Sequence, residues 1–352
     1  MKTKIVYVTT STPDDIYLEQ TYLSIYSLWK HEENPHVVLL TDNKTNETLK
    51  GDRAKILELV AEKIVVPFDD NVTNMRRSRW LKTKMRSLVE GDFMYIDGDT
   101  IINDSLAEID DCPLLIGSVE DAHRPLNVHY GKEKLLRQAK TLGFSVNGEQ
   151  YYFNGGVFYV KDCKETHDFF ERWHENWKMS VEHGINQDMP ALILTNIQMK
   201  HMIQKLDGKW NCQLMYGFNY FTTAKIIHYF ASRYTTNNGG YIYEFMDPKI
   251  LEDIKKTWQI SPEIEANLEK PLSCFSERVE LIGGTDVDIL NTHVYKTVRL
   301  IYNKFPIFST CTVEHPLSAC HPIAYFPLSN PSFHFSVDYC CSNNSKCSAS
   351  LS

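Results

Sequence analysis

Two aspartates at the end of an apolar segment are the first residues of this sequence that could do chemistry. Asp97 and Asp99 follow the run Phe93-Met-Tyr-Ile96, which is typical of a buried strand, and Gly98 lies between them. Residues two apart in an extended chain point to the same side, and a glycine lets a ligand approach the backbone. Paired carboxylates suit Mn²⁺ or Mg²⁺, which keep open positions for phosphate oxygens. An ordinary polar turn is the alternative.

A basic segment precedes this strand. Six of the eleven residues from 76 to 86 are Arg or Lys. Helical spacing places Arg79, Lys82 and Arg86 on one stripe, where they could supply countercharge to a diphosphate. The alternative is a solvated helix face.

Two further patterns could complete a site. The sequence Asn154-Gly155-Gly156 precedes an apolar run and is interpreted as a turn, at which a sugar ring could approach the backbone while Asn154 donates to hydroxyl groups. His228 ends the apolar pair Ile226-Ile227 and could be a third metal ligand. An ordinary hairpin turn and a core histidine are the respective alternatives.

The elements that must position these residues alternate between strand and helix. Parallel strands with intervening helices follow from such a pattern, so we expect an α/β fold with a mixed, mostly parallel sheet flanked by helices. Ligands of such sheets bind beyond the carboxyl ends of strands, where Thr9, Thr10, Asp42 and Asp97 should converge. The predicted strands are 4–9, 36–41, 63–67, 92–97, 114–119, 157–160 and 226–227, and the predicted helices are 16–29, 54–62, 76–90 and 166–178.

Composition excludes several classes of function. The 352 residues carry 37 Lys and Arg against 45 Asp and Glu, a net charge of −8, which argues against a nucleic-acid polymer as partner. The sequence has no apolar run of the roughly 20 residues that a membrane span needs, and it becomes acidic before a signal-peptide core develops. We therefore expect a cytoplasmic protein.

The last 47 residues differ from the rest. Residues 306–352 contain ten Ser, five Pro and five Cys but only three charged side chains. The cysteine spacing fits no zinc site, so we interpret this segment as a Cys/Ser/Pro-rich tail dispensable for function, either disordered or not native to the domain.

Taken together, the motifs resemble those of a known family. Asp97-Gly-Asp99, Phe153-Asn-Gly-Gly156, Asn186-Gln-Asp188, Trp210-Asn211 and Ile227-His228 occur in the order seen in GT-A fold glycosyltransferases of the glycogenin and bacterial lipopolysaccharide galactosyltransferase type, glycosyltransferase family eight. The resemblance covers residues 4–235. It implies a GT-A (nucleotide-diphospho-sugar transferase) domain at 1–270, followed by a helical extension at 271–305.

The resemblance also implies roles for particular residues. The enzyme would be a metal-dependent retaining transferase that moves a hexose from a UDP-sugar to an acceptor hydroxyl. Asp97, Asp99 and His228 would bind Mn²⁺ (or Mg²⁺). Gln187 and Asp188 would lie at the reacting face of the sugar, next to Asn154. The remaining donor contacts would come from Val8, Thr9, Thr10, Tyr17, Arg79, Lys84, Gly98, Gly155 and Gly156.

The segment after the histidine departs from the family pattern. It lacks the usual Gly and Lys-Pro-Trp, so Arg233 is expected to replace the phosphate-binding lysine. Two other functions compete with the transferase. One is a non-catalytic sugar-nucleotide or glycan binder on a degenerate fold. The other is an aspartate-nucleophile phosphatase, which Ile101 disfavours because that motif requires Thr or Val there.

A basic amphipathic helix is predicted at 295–305. Such a helix usually packs on its domain, but it could also attach the enzyme peripherally to anionic lipid at the inner membrane face. The acceptor would then be a saccharide, free or linked to a lipid.

Overall fold

Strands and helices alternate through the first hundred residues, as the sequence predicts. The structure is a computed structural model that describes residues 1–216, 219–230, 243–274, 320–324, 336–341 and 346–350. The first elements are β1 (Lys4–Thr9), α1 (Tyr17–His31), β2 (Val37–Asp42), α2 (Asn43–Thr48), β3 (Glu62–Val66), α3 (Asn74–Leu88) and β4 (Phe93–Ile96).

The helix predicted at 54–62 is wrong in type. The structure has a 3₁₀ segment, Gly51–Leu59, and Glu62 already belongs to β3. Only Ile56 of this segment is buried, so no apolar stripe holds a regular α-helix against the sheet.

The second half of the domain contains shorter strands and the longest helix. Its elements are β5 (Thr100–Ile102), β6 (Ile116–Glu120), α4 (Lys132–Thr141), β7 (Phe153–Val160), α5 (Lys164–Glu182), α6 (Met189–Gln198), β8 (Ile203–Lys205), β9 (Cys212–Gln213), β10 (Ile226–His228), α7 (Pro248–Thr257) and α8 (Pro262–Glu269). The helix predicted at 166–178 is confirmed as α5. The turn predicted at Asn154-Gly155-Gly156 is wrong, because these residues lie inside β7.

A seven-stranded sheet organises these elements in the order β3-β2-β1-β4-β7-β6-β8. Its β3-β2-β1-β4 half is parallel, whereas β7 runs antiparallel to both β4 and β6. The expected mixed, mostly parallel sheet is therefore confirmed. A smaller sheet joins β5, β10 and β9, and its β5–β10 pairing places Thr100 opposite His228.

Alternating side chains of the strands fill two layers of core. Ile5 and Tyr7 of β1 pack with residues of α1, whereas Val6 packs on the opposite face with residues of α3 and α5. Every residue of β2 is buried, as expected for a parallel strand covered on both faces.

Beyond α8 the structure describes three short strands, β11 (Cys320–Ala324), β12 (Ser336–Cys341) and β13 (Lys346–Ser350), paired antiparallel in that order. Arg233 and the helix predicted at 295–305 lie outside the described residues. The domain boundaries at 270 and 305 and the dispensable tail stay predictions. None of the helices in the described ranges is both long and apolar enough to cross a membrane.

Candidate active site

Three potential metal ligands converge at the edge between the two sheets. Asp97 and Asp99 lie in the loop between β4 and β5, and His228 ends β10. One ligand atom from each of the three residues lies within 4.8 Å of the other two. His228 Nε2 is 3.2 Å from Asp99 Oδ1. The pairing of β5 with β10 thus joins residues that are far apart in the chain.

Gly156 of β7 forms the floor of this cluster. A Cβ atom built at position 156 would lie 2.5 Å from His228 Cε1 and 2.9 Å from Asp97 Oδ2. Only a glycine at position 156 leaves this space open. The residue is therefore required by its close contacts within β7, and not by a turn.

The donor set fits a divalent cation. Two carboxylates and one imidazole supply oxygen and nitrogen ligands, a combination better matched to Mn²⁺ than to the all-oxygen preference of Mg²⁺. Phe230 stacks on the His228 ring, with centroids 3.9 Å apart, and so limits its movement.

Basic side chains of α3 reach the acidic cluster. Lys82 Nζ lies 3.4 Å from Asp97 Oδ1 and 3.3 Å from Asp188 Oδ2. Arg79 Nε lies 3.2 Å from Asp188 Oδ1. Lys82 is almost fully buried and also lies over the ring of Tyr95, which donates to Asp97. Arg79 and Lys82 are one helical turn apart, and they therefore face the site together.

Lys84 does not join them. Its Nζ contacts Glu171 Oε2 of α5 at 2.6 Å, on another face of α3. Helical spacing predicted Lys82 beside Arg79, and Lys82 contacts the cluster. Lys84, expected from the family resemblance, does not, because residues 79 and 84 are five apart and lie on different faces. Arg86 also points elsewhere, with its guanidinium on the carbonyls of Val89 and Gly91.

Electrostatics keep the acids of the site ionised. Burial alone would raise the pKa of Asp99, but its interaction with His228, a backbone hydrogen bond and the positive charge of Lys82 lower that pKa. Burial acts likewise on Asp188, whose pKa is lowered by Lys82 and Arg79. Asp188 in turn raises the pKa of Arg79. The site is thus charged before any ligand binds.

Asn154 lies beside the cluster but is fully engaged within the protein. Its Nδ2 donates to Asp121 Oδ1 at 2.6 Å, and its Oδ1 accepts from the backbone N–H of Gly156 at 2.8 Å. Asn154 is 5% exposed.

The sequence led us to expect that Asn154 donates to sugar hydroxyls, and it gave no indication of Asp121. A carboxylate at the carboxyl end of β6 repeats the pattern of Asp97 after β4, and that signal could have found it.

The end of β1 lies against the same loop. The hydroxyls of Thr9 and Thr21 are 2.8 Å apart, and Thr21 donates to the carbonyl of Tyr17. A Cβ at Gly98 would lie 2.5 Å from Thr21 Oγ1, so the Asp97–Asp99 loop packs directly on α1. Val8 is half-buried in β1, and the Tyr17 side chain is exposed at the start of α1.

Three expected residues have other surroundings. Thr10 donates to the carbonyl of Asn74, at the first turn of α3. Asp42 caps α2 through the N–H of Thr45 and pairs with Arg77, so it is a structural residue and does not join the site. Gln187 is exposed and accepts from Gln138 of α4.

Gly155 borders the opposite side of the cluster. A Cβ there would lie 3.5 Å from both Asp188 Oδ2 and Lys82 Nζ, which is ordinary contact. The bare backbone of β7 therefore separates the metal cluster, beside Gly156, from the pair of Asp188 with its basic partners.

Comparison with known proteins adds independent findings. The family model described as Glycosyl transferase family 8 matches residues 91–233, which include the acidic loop, β7 and His228. No curated protein sequence matches the chain.

Three similar solved structures carry the names of glycosyltransferases. The galactosyltransferase LgtC, with donor and acceptor sugar analogues, is 14% identical with a TM-score of 0.47, over 75% of this chain and 99% of that one. Mouse xyloside xylosyltransferase 1, in its apo form, is 12% identical with a TM-score of 0.44, over 67% and 98%. GlyE of Streptococcus pneumoniae TIGR4 is 17% identical with a TM-score of 0.41, over 65% and 55%.

The matched segment contains all three potential metal ligands, together with Asn154 and Asp188. It also contains the strands at which the sheet changes from parallel to antiparallel, the feature that brings β7 beside β4. Over residues 91–233, the chain is thus similar to glycosyltransferase family 8.

Proposed function

We propose that this glycosyltransferase moves a hexose from a UDP-sugar to an acceptor hydroxyl, that it depends on Mn²⁺, and that it retains the anomeric configuration. One observation carries the proposal. The ligand atoms of Asp97, Asp99 and His228 converge within 4.8 Å, immediately beside the buried Lys82 and the half-buried Arg79.

The balance of charges in the site supports binding of the divalent cation before the diphosphate. Three carboxylates, those of Asp97, Asp99 and Asp188, lie near the two cations Arg79 and Lys82. This excess of one negative charge favours a divalent cation. Once the cation is bound, the excess becomes positive, which favours a diphosphate. The metal would neutralise the departing diphosphate as a Lewis acid.

The protein's own groups would orient the donor around that charge. The end of β1, at Val8 and Thr9, and the nearby Tyr17 would hold the nucleoside, because this edge contacts the Asp97–Asp99 loop through Thr21. The bare backbone at Gly155 would face the hexose. Arg233 would add charge at the phosphates.

Retention would follow from front-face attack. The bond from the anomeric carbon to the phosphate oxygen breaks as the acceptor oxygen bonds to the same face, and the acceptor proton passes to the leaving phosphate. Asp188 is a poor candidate for a covalent nucleophile because Arg79 and Lys82 engage its two oxygens at 3.2 and 3.3 Å. Gln187 contacts Gln138 instead of the cluster.

The acceptor would be a saccharide, free or lipid-linked. For a lipid-linked acceptor, the basic segment 295–305 would attach the enzyme to the inner membrane face. Co-sedimentation with anionic liposomes should then fall on changing Lys296 and Arg299 together to Glu, whereas unchanged binding would exclude this attachment.

The central test removes one metal ligand. Asp99→Asn should lower Mn²⁺-dependent turnover of the UDP-sugar by about 100-fold or more, because ligand geometry and charge are both lost. Turnover is measured after EDTA treatment and Mn²⁺ readdition, with the donor first identified by thermal stabilisation across nucleotide sugars.

The matched control is Asp253→Asn, the same change at an exposed position of α7. It should behave as wild type. Full activity of Asp99→Asn would refute the metal assignment, and binding without turnover of any UDP-hexose would favour the non-catalytic alternative.

A further inference from the structure

A chain of buried polar side chains, one carboxylate and two amides, runs from the end of β6 to the imidazole of His228. Its members Asp121, Asn154 and Asn211 are each at most 5% exposed. They come from three separate segments, and each contacts the next through side-chain hydrogen bonds. Such a chain has a direction, because each amide carries a donor at one end and an acceptor at the other.

The first amide of the chain has only one orientation. Asn154 Oδ1 lies 2.8 Å from the backbone nitrogen of Gly156, which can only donate. Its Nδ2 lies 2.6 Å from Asp121 Oδ1 and 3.2 Å from Gln213 Oε1, which both accept. In the reversed orientation, the Asn154 NH₂ group would face the N–H of Gly156, and its oxygen would face the oxygens of Asp121 and Gln213. Both N–H groups of Asn154 are therefore used inside the protein.

The orientation of Asn154 fixes the next amide. Asn211 Nδ2 donates to Asn154 Oδ1 at 2.9 Å. Asn211 Oδ1 therefore faces His228 Nδ1, at 3.1 Å. Because an amide oxygen can only accept, the hydrogen of this bond belongs to Nδ1.

We infer that Asn154 and Asn211 are positioning residues that keep a hydrogen on His228 Nδ1, so that Nε2 is the nitrogen available to a divalent cation. Nε2 is directed at the space shared with Asp97 and Asp99, and without a cation it lies 3.2 Å from Asp99 Oδ1. The backbone of Gly156 links the same chain to a second ligand, since its carbonyl accepts from the N–H of Asp97 at 2.8 Å. This inference rests on the proposed function only in taking a divalent cation as the ligand.

The chain gives Asn154 a different role from the one expected from the sequence. Both N–H groups of its amide bond within the protein, and it would act on the metal site through Asn211. Partners of this kind set the tautomer and orientation of metal-binding histidines, and their removal weakens metal affinity 10- to 100-fold.

The test reads the tautomer directly in the metal-free protein. Two-bond nitrogen-15 correlation spectra report which of the two ring nitrogens carry a hydrogen. The His228 signals are assigned by their loss in His228→Gln. Wild type should show a hydrogen on Nδ1, with or without one on Nε2, and an Nδ1 that carries no hydrogen would overturn the inference without any variant.

Variants then connect the tautomer to metal affinity. Asn211→Leu and Asn154→Leu should each introduce the Nε2–H form and raise the Kd for Mn²⁺ about 10- to 100-fold. Asn176→Leu removes an equally buried amide of α5, bonded to Thr195 and Gln198, and should change neither quantity.

Asn211→Asp is a control for the case in which the leucine variants misfold. It keeps an oxygen opposite Nδ1 and should retain the Nδ1–H form. An unchanged tautomer and Kd in Asn211→Leu would overturn the inference while leaving the proposed function intact. A wild type with the Nδ1–H form that binds no Mn²⁺ would instead refute the metal dependence alone.

Discussion

Substitution of Gly156 by alanine tests the geometry of the metal cluster most directly. The added methyl group would lie 2.5 Å from His228 Cε1, 2.9 Å from Asn154 Oδ1 and 2.9 Å from Asp97 Oδ2. Its neighbours are thus two potential metal ligands and the amide that orients one of them. The substitution introduces no charge and removes no hydrogen-bonding group, so its effect is steric.

The magnitude follows from these distances. To restore even the shortest tolerable contact of 3.0 Å, His228 must retreat by about 0.5 Å, and Phe230, stacked 3.9 Å away, resists that movement. Metal–ligand distances tolerate only about 0.2 Å. The imidazole should therefore be lost as a ligand, which raises the Kd for Mn²⁺ by about 100-fold, or about 2.8 kcal/mol. Overpacking should also lower unfolding stability by roughly 1–3 kcal/mol.

The assay is calorimetric titration of Mn²⁺ into the metal-free protein, with the melting temperature measured in parallel. Gly155→Ala is the matched control, because it makes the same change one residue earlier in β7, where the new methyl group meets its neighbours at 3.5 Å. It should keep the wild-type Kd for Mn²⁺. Equal affinity in Gly156→Ala and wild type would refute the reasoning.

Three further predictions concern individual side chains. Lys82→Met should raise the calorimetric Kd for UDP with Mn²⁺ at least tenfold, because a buried cation is lost. Lys84→Met should change this Kd less than about twofold, because Lys84 pairs with an exposed acid. The reverse ranking would contradict the assignment. Asp188→Ala with added azide should form no glycosyl azide, and its detection by mass spectrometry would argue for a covalent intermediate. Burial lowers the pKa of His174 to about 4, so the unfolded chain takes up a proton between pH 6.5 and 4 that the folded chain does not. Stability to urea should fall by about 2 kcal/mol at pH 5 for this group, and His174→Gln should remove that loss unless another group causes it.

The parallel half of the sheet could be predicted from the sequence because its signals are local. The apolar runs of β1, β2 and β4 lie between helices at short spacing, and the carboxylates after β4 mark its carboxyl end. His228 could be found in the same way, as a polar residue ending a buried strand.

The sequence does not show as clearly which face of α3 points toward the site. A run with six basic residues in eleven offers a cation on every helical face, and only packing against α5 decides which face is covered. The family resemblance therefore pointed to Lys84 at the donor, whereas Lys82 is the lysine that reaches Asp97.

The role of Asn154 depended on contacts distant in sequence. Glycines after an asparagine usually indicate a turn, but here the side chains opposite Gly156 leave no room for a Cβ atom. The partners Asp121 and Asn211 are separated from Asn154 by 33 and 57 residues, and no local pattern couples them.

The pairing of β5 with β10 has a consequence during synthesis. Asp99 and His228 are 129 residues apart in the chain, and the strands β6 and β7 are made between them. A growing polypeptide can therefore form most of the central sheet before His228, the third potential metal ligand, emerges from the ribosome. The nascent chain brings the three potential ligands together only after β10 pairs, so this cluster is completed late in synthesis.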